Sequence, residues 1–204
     1  MDQNLLAMFI TFFLVVDPVG ILPLYISLTS GFSEEKKIRV IYRALLTAAV
    51  VFLVFIFFGR GILRFLGIQT GAFFIAGGIL LFFVSMDMLF AVPKRTKTSD
   101  QEKDSEDISI FPLGIPILAG PGTITTILLY VGKEDADLTT YLMVGVVLLL
   151  VLLLAGIFLR LSNLLVRVVS STGLSVIERI MGLILSGLSV QFVYDGLVRL
   201  QIVQ

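Results

Sequence analysis

The chain of 204 residues contains no histidine, no cysteine and no tryptophan, and only 15% of it is charged. Each absence closes off a kind of chemistry. Without cysteine there is no disulfide, no thiolate nucleophile and no thiolate metal site. Without histidine there is no imidazole ligand, no His-based nucleophile–base pair and no His proton relay. Carboxylates, hydroxyls, basic side chains and backbone groups are what remain, so no metal centre is expected. Fifteen Lys plus Arg balance fifteen Asp plus Glu. A net charge of zero gives no field that would gather nucleic acid.

What is present is apolar surface. Hydrophobic residues make up 57% of the chain and mean hydropathy is +1.05, whereas soluble domains are about 45–50% apolar and about 25% charged. Lipid is therefore the expected solvent. A hydrocarbon core of about 30 Å needs about 20 apolar residues in a helix, and six stretches qualify: Leu5 to Ser30, Ile38 to Phe58, Gly71 to Val92, Ile108 to Gly132, Leu138 to Leu159, and Gly173 to Leu200. Their unbroken apolar runs favour helices over barrel strands, which alternate polar and apolar residues. No Lys or Arg precedes Lys36, so the first stretch lacks the basic flank of a signal peptide and is expected to be retained.

Basic residues divide unevenly between the two sides. One side holds Lys36, Lys37, Arg39, Arg43, Lys94, Arg95, Lys97, Lys103, Arg160, Arg167 and Arg179; the other holds Arg60, Arg64, Lys133 and Arg199. The positive-inside tendency puts the first group in the cytoplasm and both termini outside, in a multi-pass inner or plasma membrane protein. The polar stretch Pro93 to Asp107, PKRTKTSDQEKDSED, reads as a solvated cytoplasmic loop.

The two halves echo each other at half the chain length. Pro18 and Pro121 are 103 residues apart, Thr70-Gly71 precedes Thr172-Gly173 by 102, and Gly78 precedes Gly182 by 104. Three spans in each half force the second half to enter from the opposite face. The expected architecture is all-α: six transmembrane helices as two inverted three-helix repeats, one transporter domain with repeats over 1–92 and 108–204 and a loop over 93–107. Helices one and four are expected to be discontinuous, a pattern of secondary transporters whose binding site lies at the breaks.

The breaks have a readable chemistry. VVDPVGILPLY places Asp17, Pro18, Gly20 and Pro23 about halfway along the first span, and FPLGIPILAGPGTITTILLY places Gly120, Pro121, Gly122, Thr123, Thr125 and Thr126 in the fourth. Proline removes its own donor and frees a carbonyl, and it suits the first position of a new helix. Pro18 and Pro121 are thus expected to start half-helices whose free N–H groups attract anions. Asp17 can cap its own half-helix, whereas the matching Gly120 leaves its terminus open for a substrate carboxylate. Ordinary kinks are the alternative reading of each break. Freed carbonyls suit an ammonium or cation, so the pairing suggests a small zwitterion.

Ionisable groups within spans are costly and usually functional. Asp17 is the deepest and serves either as a cap or in proton or sodium coupling. Asp87 lies about 25 Å from the outer end of the third span at 1.5 Å per residue, and Asp195 lies near the outer end of the sixth. An intramembrane aspartyl protease needs two carboxylates at one depth, which this topology denies to Asp87 and Asp195, so no enzyme is expected. A channel filter motif is also missing.

The runs DPVGILPLYISLTSGFSEEKK, GRGILRFLGIQTGAFFIAGGILLFFVSMDML, PLGIPILAGPGTITTILLY and ERIMGLILSGLSVQFVYDGL resemble the MarC family of integral membrane proteins, which includes the SnatA-type small neutral amino acid transporters. The resemblance spans nearly the whole chain. It implies a carrier for glycine, alanine and similar amino acids, driven by a proton or sodium gradient and needing no organic cofactor. It places the sites at the two broken helices, at Asp17, Pro18, Gly20 and Pro23 in the first and Gly120, Pro121, Gly122, Thr123 and Thr125 in the second; together with the reading of the breaks, substrate binding is expected at Gly20, Pro23, Gly120, Pro121, Gly122, Thr123, Thr125 and Thr126, and ion coupling at Asp17, Asp87 and Asp195. The family's association with antibiotic resistance leaves drug export as the alternative.

Overall fold

A computed structural model describes residues 5–90, 108–132 and 136–203. The described residues form helices joined by turns, with no strand among them: α1 (Leu5–Val16), α2 (Leu22–Leu28), α3 (Glu34–Phe65), α4 (Thr70–Leu89), α5 (Ser109–Leu118), α6 (Pro121–Val131), α7 (Leu138–Arg160) and α8 (Ser162–Arg199). The polar stretch Pro93 to Asp107 lies outside the described residues.

Among the described residues, four helices are long and apolar enough to cross a membrane: α3, α4, α7 and the Thr172–Arg199 part of α8. The α5–α6 pair, bent by 50°, makes a fifth if taken as one span. α1 has 12 residues, about 18 Å at 1.5 Å per residue, and does not cross alone. Within the spans the outer faces are as apolar as the inner ones. Leu142, Val146, Leu149 and Leu153 of α7 are exposed while Val144, Val151 and Ala155 are buried, as lipid allows and water does not.

Local signals set the helix ends. Ser33 caps α3 by accepting from the Lys36 N–H, and Glu34 and Glu35 occupy the first turn, where the helix dipole favours negative charge. Asp137 caps α7, accepting from the backbone N–H and the hydroxyl of Thr140 at 2.9 and 2.7 Å. The Thr140 hydroxyl and then its N–H hold this carboxyl below the usual carboxylate range, so the cap contributes fully above the ordinary carboxylate value and is lost only as pH falls through the lowered one. α3 runs 32 residues, longer than Ile38 to Phe58, passing through Gly59 and Gly61 and closing only at Gly67, which takes φ 68°. The Ile68 N–H then donates to Leu63 and the Gly67 N–H to Arg64, a Schellman closure. α8 breaks where no Pro or Gly marks it: Ser170 sits at φ 63° and its hydroxyl accepts from the Gly173 N–H at 3.2 Å, capping the membrane-length part. The run SSTG was the available sign of that cap.

The most extensive packing joins α4 and α8; α3 packs on α5, α6 and α7, and α1 on α6 and α7. The α4–α8 contact is antiparallel and built on small residues seven apart. A Cβ on Gly71 would meet the Gly196 carbonyl at 2.7 Å, one on Gly78 the Ser189 carbonyl at 2.7 Å, and one on Gly182 the Ser85 carbonyl at 3.0 Å. Phe74, Leu81 and Met88 of α4 and Leu185 and Phe192 of α8 fill the positions between them and are buried. Lipid supplies no hydrophobic drive for helices to associate, so this backbone-to-backbone approach through small residues is what holds the pair. Gly78→Leu is expected to lower thermal stability in detergent by about 1–3 kcal/mol. Gly187→Leu, on the partner helix α8 with nothing within 4 Å of its Cβ position, is expected to change it little.

Candidate functional site

The first break is a single turn held by one carboxylate. Asp17 follows α1 at φ 48°, a left-handed conformation that among non-glycine residues Asp and Asn adopt most readily. Its Oδ1 accepts from the Gly20 N–H at 3.1 Å, and the Ile21 N–H donates to the Asp17 carbonyl at 3.3 Å. Asp17 does cap a turn beginning at Pro18. Regular helix resumes only at Leu22, with Pro23 in the first turn of α2; Pro18 belongs to the capping turn, not to α2. Gly20 is required because a Cβ there would overlap the Asp17 carboxylate. Asp17, Pro18 and Gly20 are buried, whereas Pro23 is exposed.

The second break is different in construction. α5 is a wide coil in which Phe111 and Ile115 have extended φ/ψ and the bonds before Pro112 and Pro116 are cis. The Ala119 N–H closes it on the Gly114 carbonyl at 2.9 Å. α6 then starts with Gly120 extended at φ −82°, ψ 169°, Pro121 in the first turn and no side chain capping it. Pro121 lacks a donor, so the free first-turn N–H groups are those of Gly122 and Thr123. The threonines that follow spend their protons on backbone: Thr123 donates to the Leu118 carbonyl at 3.4 Å, Thr125 to Pro121 and Thr126 to Gly122, each at 2.8 Å. Their oxygens keep acceptor capacity. All three are buried.

The breaks meet. A Cβ on Gly122 would lie 3.0 Å from Val15 of α1 and 3.0 Å from Leu81 of α4, and one on Gly77 of α4 would overlap Thr125. Leu81 and Gly77 sit near the midpoint of the 20-residue α4, so the junction lies about halfway along that span. Asp17 is two residues beyond Val15 and only 7% exposed. A buried carboxylate, an uncapped helix N-terminus and glycine-lined walls are thereby gathered at mid-depth.

The other carboxylates stand apart. The α4–α8 pairing sets Asp87 near one end and Asp195 near the other, about 20 Å apart along the axis at 1.5 Å per residue. Asp87 is exposed, and Asp195 accepts from the Gln191 side-chain amide at 2.7 Å. Neither approaches the junction from its own helix position. No group of three or more Asp or Glu suited to holding a metal occurs among the described residues.

Comparison with known proteins supplies the family. The model of the MarC family integral membrane proteins matches residues 3–201. The chain is 40% identical over 199 residues to a UPF0056 membrane protein of Methanocaldococcus jannaschii, covering 94% of this chain and 86% of that one. It is 35% identical over 193 residues to the UPF0056 membrane protein YhcE of Escherichia coli, covering 93% and 89%, and 34% identical over 202 residues to a UPF0056 membrane protein of Archaeoglobus fulgidus, covering 94% and 91%. No solved structure matches it. The chain belongs to the MarC family, as its motifs implied, and is a multi-pass integral membrane protein.

The junction makes a distinction that unfolding can read. Asp17→Ala removes the cap from a buried turn and is expected to cost about 0.5–2 kcal/mol. Asp17→Asn keeps an acceptor for the Gly20 N–H and tolerates the positive φ, so its melting temperature is expected to stay near that of the native chain.

Proposed function

We propose that this MarC family protein is a secondary carrier of small neutral amino acids such as glycine and alanine, working by alternating access. The observation that carries the reading is the meeting of two interrupted helices around Asp17 and Gly122 at mid-depth. In lipid, irregular backbone survives only where protein covers it or it lines a cavity, and paired breaks at the membrane centre are how secondary carriers build their sites. The substrate carboxylate is assigned to the open N–H groups of Gly122 and Thr123. The substrate ammonium, or the coupling proton or sodium ion, is assigned to the neighbourhood of Asp17. Gly122 lets α1 and α4 approach the start of α6 closely, which favours a substrate with little or no side chain.

The packing pattern supports the inverted repeat that alternating access needs. If α1–α2, α3 and α4 correspond to α5–α6, α7 and α8, exchanging the halves turns the α1–α7 contact into the α5–α3 contact. The same exchange turns the α4–α6 contact into α8–α2 and the α3–α6 contact into α7–α2, and it leaves α3–α7 and α4–α8 unchanged; all of these contacts occur. The excess of basic residues around Lys36 to Arg43 puts that end in the cytoplasm and both termini outside.

Purified protein in proteoliposomes is expected to take up radiolabelled glycine or alanine saturably, to show counterflow, and to accumulate substrate under an imposed proton or sodium gradient. Asp17→Asn is expected to abolish gradient-driven accumulation while exchange persists. Gly122→Val is expected to abolish both. No uptake of any small neutral amino acid would overturn the substrate assignment and favour export of a larger solute.

A further inference from the structure

A polar side chain of α8 faces outward at a depth where the surroundings are hydrocarbon. Gln191 precedes the end of α8 at Arg199 by eight residues, which puts it about 12 Å inside the helix end at 1.5 Å per residue, within a hydrocarbon core of about 30 Å. It is exposed. Its Nε2 donates to Asp195 Oδ1 at 2.7 Å, while its second N–H and its amide oxygen have no partner among the described residues. Polar groups inside a span ordinarily face other protein, because lipid offers them no hydrogen bond.

The surface around Gln191 has the form of a helix-pairing seam. Ile180, Ile184, Gly187, Gln191, Tyr194 and Val198 follow one another at alternating intervals of four and three residues, and all are exposed. That spacing is the seven-residue repeat of paired helices. The seam runs along the side of α8 opposite Gly182, Ser189 and Gly196, which meet α4. Nothing lies within 4 Å of a Cβ placed on Gly187, so another backbone can come close there. α8 is also the least covered of the four membrane-length helices, with 22% of its apolar stretch buried against 33% or more in the others. The apolar members of the seam need no cover in lipid. The amide does.

We infer that α8 pairs along this seam with α8 of a second copy, making a parallel homodimer in the membrane. Two copies inserted the same way are related by a two-fold axis along the membrane normal, so each residue of the seam meets its own counterpart at its own depth. An amide carries both a donor and an acceptor and therefore completes itself. Each remaining N–H of Gln191 donates to the amide oxygen of the other copy, while the first stays on Asp195. Gly187, one turn away, lets the two backbones close to the distance that this exchange requires. The six seam residues carry no charge, so like faces do not repel. Asp195 lies to one side of the seam, and the two-fold axis sets the two copies of it on opposite flanks. An acyl chain can answer none of these hydrogen bonds.

The chain has no cysteine, so the full protein can be labelled at a single Leu138→Cys, an exposed position at the start of α7. Energy transfer between donor- and acceptor-labelled copies in liposomes of falling protein-to-lipid ratio then reports pairing. Dilution is expected to separate the copies along a monomer–dimer curve. Gln191→Leu removes the amide, keeps a side chain that lipid accepts and leaves the α4 contact alone; it is expected to weaken pairing about tenfold while its melting temperature in detergent stays near the native one. Gly187→Leu is expected to weaken pairing as well. Under mild oxidation, single Tyr194→Cys and Val198→Cys proteins are expected to form disulfide-linked dimers and Leu138→Cys none. Energy transfer no greater than random mixing gives would show that lipid alone covers the face and would overturn the pairing. So would pairing that Gln191→Leu leaves unchanged, or dimers that neither α8 cysteine can link.

Discussion

A backbone polar group in hydrocarbon must find its partner inside the protein, and the rest of this structure follows from that demand. α3, α4 and α7 meet it by running unbroken. The stretches before Leu22 and Pro121 do not, and each interruption is covered by a neighbour: the Asp17 carboxylate folds over the Gly20 N–H, and α1 and α4 press on Gly122. An unsatisfied amide there costs several kcal/mol, so two interruptions persist only where surrounding helices enclose them. The enclosure is also what brings the interruptions together.

The α4–α8 pair supplies the rigidity behind that junction. Because Gly71, Gly78 and Ser85 face Gly196, Ser189 and Gly182 in turn, the two helices approach backbone to backbone over most of α4. A seven-residue repeat along both helices keeps this seam facing inward. Gly77 and Leu81, one residue before Gly78 and three after it, then meet the start of α6. A change in the seam is therefore felt at Gly122 and Thr125 through direct contact.

Much of this was legible in the sequence, for reasons that differ by element. Apolar runs of membrane length are unambiguous, so α3, α4, α7 and the later part of α8 fall where composition places them. α3 is longer because its end is set by Gly67, not by hydropathy. The Pro121 start of α6 was legible since Gly120-Pro121 combines a flexible cap with a preset φ. Pro18 and Pro23 compete for the same role at the first break, and the choice depends on Asp17 taking a positive φ, which no local pattern announces. The Ser170 break lacked Pro or Gly.

The central claim is that the junction of the two interruptions opens to either side of the membrane in turn. Since the chain has no cysteine, a single Val19→Cys, in the capping turn and partly buried, reports access to it without background. Modification of that thiol by a membrane-impermeant reagent, measured in right-side-out and inside-out vesicles with and without alanine, is the direct measurement. The account expects reaction from both sides, with alanine raising the rate from one side and lowering it from the other. Reaction from one side alone, at a rate that alanine does not change, would contradict it.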